Sequence, residues 1–365
     1  MSVLAAIAVL ALLIAVHELG HFTAARLQGI HVNRFSIGFG PVIWSIQGKE
    51  TEYALRAIPL GGFVGFPDDD PESDIPPTDP DLLKNRPILD RAIVISAGVI
   101  ANLVFAYLVF VAQFTGVGVP DGINYSPGVL VPQVISQEVP AAQAGIRSGD
   151  VIVAVDGQSL GDESEGAIAS LMETIQDSPG EPLILTLERG DRQLDVTVTP
   201  TVDPDGTARI GVQLLPNGTI EYRRPNGVVE VLTRSASEFQ DMLVRTVQGF
   251  VTLVTNFSEV ANQVAGPVKI VEQGAQFAQD DASRLFPFTA IISINLAIIN
   301  ILPLPALDGG QLVFLLVEGL RGKPLPSRIQ ENVMQTGLVL LLGLGIFLIV
   351  RDTAQLEVFQ NLLNQ

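Results

Sequence analysis

The sequence contains no cysteine and only three histidines, His17, His21 and His31. Without thiols, disulfides and thiolate metal sites are excluded, so any metal must be held by His, Asp, Glu or water. Basic residues are also scarce. Lys and Arg number 21 against 39 Asp and Glu, a formal charge of −18. Phosphate contacts need a basic face, so no nucleic-acid partner is expected. Charge of either sign is thin at 16% of residues, whereas hydrophobic residues make up 47%. That balance argues against a purely soluble chain.

The apolar residues gather into long runs: Ser2–Val16 with its continuation to about Leu27, Ala92–Thr115, Phe286–Leu302 and Val333–Val350. Each approaches the roughly 20 residues that a helix needs to cross a hydrocarbon core of about 30 Å. A cleaved signal peptide is the competing reading of the first run. It lacks a basic start and a small-residue cleavage site, and HELGH would fall just past its apolar core. Arg26, Arg34, Lys49, Arg56, Lys84, Arg86 and Arg91 lie between the first two runs, and Arg321, Lys323 and Arg328 between the last two. Both connections should be cytoplasmic, which sends residues 116–284 and both chain ends to the opposite side.

The expected fold class is a polytopic α-helical membrane protein with four transmembrane helices, a re-entrant β element and an inserted α+β domain. An N-terminal membrane core at 1–115 holds spans at about 2–27 and 91–115. Between them, residues 31–66 alternate like a β-hairpin with glycine punctuation, too polar to span and too apolar for a free loop. An irregular backbone at membrane depth is tolerated where it is buried in protein or lines a wet cavity, hence the re-entrant reading. The acidic, proline-rich stretch at 67–85 reads as a solvated loop. A small strand-rich domain is expected at 124–202, with EGAIASLMETIQD as its helix. An extension at 203–283 carries strand-like pieces (LLPNGTIEYRRPNGVVEV) and then one or two interfacial amphipathic helices over 236–280, interrupted at Gly266–Pro267. A C-terminal membrane core at 284–365 holds spans at about 286–302 and 333–350.

His17 and His21 are four residues apart and project from one helical face, with Glu18 beside the first. HExxH is the zinc-protease spacing, in which two imidazoles bind the metal and the carboxylate takes a proton from water. Ionisable groups inside a span cost about 2.5–3.5 kcal/mol each on insertion scales, so they are functional by default. The bland alternative is that all three merely face the interface where the helix ends. Two imidazoles leave a catalytic zinc one protein ligand short. His31 lies in the strand region and reads as an ordinary polar residue. The third apolar run ends in Asn300-Ile-Leu-Pro303-Leu-Pro305-Ala-Leu-Asp308-Gly-Gly, where two prolines stop or kink the helix. Asp308 is the obvious oxygen ligand, with a helix-capping aspartate as its plainer reading.

Two resemblances follow from these residues. PAAQAGIRSGDVIVAVDGQSL, Pro140–Leu160, resembles a PDZ domain of the bacterial protease-associated type. That implies a groove for a peptide ligand, with Gly128–Val131 a loose match to its carboxylate-binding loop. HELGH, the PDZ-like middle and NILPLPALDGG together resemble the site-2 protease family of intramembrane zinc metalloproteases, closest to the bacterial regulator-of-sigma-E type with a single PDZ domain. The resemblance implies one Zn2+ on His17, His21 and Asp308, with Glu18 as base. It implies that Asn300, Pro303 and Pro305 hold substrate backbone. The β element, with Gly61, Gly62 and Phe63, would offer an edge at 42–66 to an unwound substrate. Gly98-Val-Ile-Ala-Asn102 matches the family's GxxxN. Asn102 could cap substrate carbonyls or could equally serve helix packing.

The implied substrates are single-span membrane proteins already trimmed elsewhere, such as anti-sigma factors or signal-peptide remnants. The PDZ domain would sit on the non-cytoplasmic side of a bacterial plasma membrane or a related photosynthetic membrane. A cation transporter and a non-catalytic scaffold are the competing classes. Neither uses both the HExxH glutamate and a PDZ module.

Overall fold

The computed structural model describes residues 2–70, 73–136, 138–161, 164–203, 206–257 and 264–355. In it, four helices are long and apolar enough to cross a membrane: Ser2–Leu27, Ile88–Gly116, Ala282–Ile301 and Ser327–Ala354. Contacts divide the chain into a unit made of Met1–Val117 with Pro225–Gln365, and a second unit, Gly118–Arg224.

In the first unit, α1 (Ser2–Leu27) ends where Gly29 takes φ +75. The amides of Gly29 and Ile30 turn back to the carbonyls of Arg26 and Ala25, a closure that only a residue free of a β-carbon adopts cheaply. α2 (Ile88–Gly116) packs on α1. The approach is close, since a β-carbon at Gly20 would fall 2.4 Å from the Ala97 carbonyl oxygen.

Between α1 and α2 lie β1 (Arg34–Gln47) and β2 (Glu52–Gly65). The expected hairpin is only part of their pairing. Val42–Gln47 runs antiparallel to Glu52–Arg56, but Arg34–Ile37 lies parallel to Glu52–Leu55 on one side and antiparallel to Gly62–Gly65 on the other. Gly38, Gly40 and Gly61 have positive φ, which lets each strand bend back so that its two halves find different partners. One outer edge is then Gly62–Gly65. Ala25, Ile30, Val32 and Val94 form a buried cluster that joins this sheet to α1 and α2, with Phe22, Val64 and Phe66 against it.

The second unit carries the sheet order β10-β3-β4-β6-β7, with β5 beside β4. Its strands are β3 (Val119–Leu130), β4 (Val151–Val155), β5 (Gln158–Ser159), β6 (Leu183–Arg189), β7 (Arg192–Val198) and β10 (Leu215–Arg223). A short pair, β8 (Thr201–Val202) with β9 (Ala208–Arg209), lies apart from that sheet. Helices α3 (Pro140–Gln143) and α4 (Ser164–Gln176) complete it. Val129, Ile152, Leu171, Leu185 and Leu187 close its core. Strands and helices together make this an α+β domain. The sequence expectation ends this domain at 202, whereas its sheet continues to Arg223, because β10 pairs along β3 from Leu130 to Val119.

The chain returns to the first unit as α5 (Val228–Thr255), followed by α6 (Pro267–Asp280). Residues Val228–Val231, expected as strand, are the first turn of α5. The Pro225-Asn226-Gly227 turn ends the strand, and burial of Val231 and Ser235 overrides the β-branched preference. Helix α6 begins at the expected Gly266–Pro267 break, and residues 258–263 lie outside the described residues. α7 (Leu285–Ile301), α8 (Asp308–Arg321) and α9 (Ser327–Gln355) complete the chain.

α7 stops at Ile301, Leu302 is extended at ψ 143, and Asp308 opens a separate helix of 14 residues. Proline at 303 forbids helical backbone at Leu302, and neither Pro303 nor Pro305 has an N–H to continue the ladder.

Candidate metal centre

Four elements converge on the HExxH turn of α1. Nε2 of His17 lies 3.2 Å from Nε2 of His21, and Oδ2 of Asp308 lies 3.2 Å from the first and 3.4 Å from the second. The imidazoles stand edge to face, 4.8 Å between centroids. Three ligands about 2.05 Å from a tetrahedral ion are separated by about 3.3 Å, so this donor set has the span that zinc requires. Oδ2 of Asp308 is buried without a hydrogen-bond partner, the state of an atom awaiting a cation. The residues present therefore fit the metal.

Helix α2 holds both rings from behind. Nδ1 of His21 donates to the Val94 carbonyl at 2.9 Å, which leaves Nε2 with its lone pair toward the centre. Nδ1 of His17 lies 3.2 Å from the Asn102 amide. With the amide turned so that its buried, unpartnered Oδ1 accepts from Nδ1–H, His17 presents Nε2 in the same way. Asn102 is fully buried, and its own carbonyl accepts from Ser293 of α7. Of the two roles read for Asn102, its complete burial behind the His17 imidazole supports the one within the helix packing. Between the two sits Gly98, where a β-carbon would fall 2.4 Å from Nε2 of His21 and 2.8 Å from Cε1 of His17.

Glu18 faces the sheet of β1 and β2. A β-carbon at Gly62 would lie 2.9 Å from Glu18 Cγ. Phe63 lies under the Arg56 guanidinium, 5.4 Å from its ring centroid. A β-carbon at Gly61 would strike the Phe39 ring. Of the residues read as substrate-holding, Asn300 brings Nδ2 to 3.5 Å from Nε2 of His17. Pro303 is exposed, and Pro305 is packed so tightly against Gly337 of α9 that a β-carbon there would fall 2.3 Å away. His31 stands apart, 3.8 Å from Asp79.

Sequence reasoning missed Val94, because the group that matters is a main-chain carbonyl. A signal existed in the spacing: 94, 98 and 102 are successive i, i+4 positions on one face of α2.

The sequence model of peptidase family M50 matches residues 5–344. The chain is 63% identical over 357 residues to a Nostoc sp. protein named as a zinc metalloprotease, covering 98% of this chain and 97% of that one. It is 29% identical over 439 residues to the regulator of sigma-E protease RseP of Escherichia coli, covering 93% and 96%. The PDZ domain of an SdrC-like protein from Listeria monocytogenes is 27% identical with a TM-score of 0.21, over 24% of this chain and 87% of that one. With the match running from residue 5 to residue 344, the chain belongs to peptidase family M50, the site-2 protease family of intramembrane zinc metalloproteases.

Proposed function

We propose that His17, His21 and Asp308 hold the zinc ion of this membrane protease and that Glu18 is its general base. The convergence of the three donor atoms beside the Glu18 carboxylate is the observation that carries this reading. When bound, zinc supplies Lewis acidity for the scissile carbonyl and lowers the pKa of water toward about 7. Glu18 accepts a proton from the attacking water and returns it to the leaving amine. Asn300, at the end of α7, donates its amide to a substrate carbonyl. Pro303 lines the approach from its exposed position, and Pro305 fixes the loop against α9.

The substrate is a single transmembrane helix whose amides must first unwind. The Gly62–Gly65 edge lies beside Glu18 and supports strand addition, which replaces the lost backbone bonds. Gly62 lets that edge approach the glutamate. The charge pattern of the short connections supports cytosolic access to the zinc, with the PDZ-like domain on the other face of a bacterial plasma membrane or a related photosynthetic membrane. There it admits helices whose ectodomains have been trimmed, such as anti-sigma factors or signal-peptide remnants, and its groove takes a peptide.

Zinc content and cleavage of a panel of single-span substrates, wild type beside Glu18→Gln, test the reading. Cleavage is expected to vanish with zinc retained. Full cleavage by Glu18→Gln would remove it as the base.

A further inference from the structure

Helix α2 is the common reference for all three candidate ligands. Val94 and Asn102 bond the imidazoles from one face of it. One turn before Val94, Arg91 reaches the helix that begins with Asp308. Its Nη1 donates to Oε2 of Glu318 at 3.0 Å and its Nη2 to Oε1 at 2.5 Å. Two parallel charge-assisted bonds fix distance and orientation together. Both side chains are only 15% exposed. Beside the pair, α8 lies against α2 at Gly319, near Ile88.

A buried ion pair is a weak source of net stability, because desolvation of two charges offsets their attraction. What such a pair supplies well is registry. Glu318 lies about 15 Å along the helix from Asp308, ten residues at 1.5 Å each. No proline interrupts that stretch, so the helix transmits its axial position. At the other end of α8 the chain is unwound from Leu302 to Leu307, whose apolar side chains have no group to hydrogen-bond to α2.

We infer that Arg91 and Glu318 are positioning residues for the metal centre: their fork sets how far α8 stands along α2, and so the height of the Asp308 carboxylate against His17 and His21. The inference rests on the zinc reading above and deepens it. The pair makes no contact with substrate and acts only through Asp308.

The test uses the full-length protein in detergent micelles. Glu318→Asp keeps the charge and withdraws the carboxylate by one methylene. Zinc affinity, measured by chelator competition, is expected to fall about 10- to 100-fold, the range for residues that orient metal ligands. The visible spectrum of the cobalt-substituted protein should change as well, because it reports the angle and distance of the carboxylate ligand. A pair that only held the fold together would leave that spectrum unaltered in folded protein. Joint Arg91→Glu and Glu318→Arg should recover part of the lost affinity, and Asp203→Ala, which breaks an exposed ion pair with Arg209, should leave it unchanged. Wild-type affinity with an unaltered cobalt spectrum in Glu318→Asp overturns the inference and leaves the zinc site standing. A wild-type protein that takes up no zinc overturns both. If Glu318→Asp does not fold, Arg91→Lys, which retains charge and loses the fork, is read by the same two measurements.

Discussion

Gly98 of α2 lies directly against His21: a β-carbon at this position would stand 2.4 Å from the nitrogen that faces the metal centre. Real β-carbons do not come that close to a ring atom, and the same position crowds His17 at 2.8 Å. Gly98→Ala must therefore push at least one imidazole away from Asp308. Zinc affinity should fall about 10- to 100-fold, as for other changes that misorient ligands. Chelator competition on purified protein checks this, with thermal unfolding to show that the helix pair is intact. An unchanged zinc affinity would mean that the rings retreat without leaving the site.

Gly62 offers a way to separate base from metal. Adding a side chain there meets Glu18 Cγ and the Ser36 carbonyl oxygen, each at 2.9 Å, but neither imidazole. Gly62→Val is expected to lower kcat by at least 10-fold, within the range that a misplaced general base costs. Zinc content should stay near wild type. Parallel loss of zinc and activity would show that the sheet supports the ligands and not Glu18 alone.

Asp352, only 3% exposed, accepts from the Lys269 amide in the first turn of α6 and thereby caps that helix from α9. The carboxylate also meets the partial positive charge of the helix start. Asp352→Ala should cost about 1–2 kcal/mol, read as a lowered thermal midpoint of the detergent-solubilised protein. Loss of the cap should leave zinc affinity unchanged, since Asp352 touches none of the ligands.

The spans were legible because four apolar runs near helix-spanning length leave little else to be built. HExxH was legible because i and i+4 share a helical face, and Asp308 because two prolines must open a helix at membrane depth. The path of the sheet was not legible. Alternation in 31–66 announces strands, yet positive φ at Gly38, Gly40 and Gly61 decides which half of each strand meets which, and period-two patterning carries no such instruction. Val228–Val231 read as strand by side-chain type, and the turn before it and the burial of Val231 settled on helix. Asn102 was noticed through GxxxN and left between substrate and helix packing, because a sequence does not state which polar groups lie behind a ring.

Gly309 and Gly310 follow Asp308 so closely upon the preceding loop that a β-carbon at either would strike the carbonyl of Leu302 or Leu304, at 2.1 and 2.3 Å. The carboxylate is thus seated by main chain pressed on main chain. Its fit against that loop depends on two hydrogen atoms, the side chains of consecutive glycines, for which no other residue can stand in.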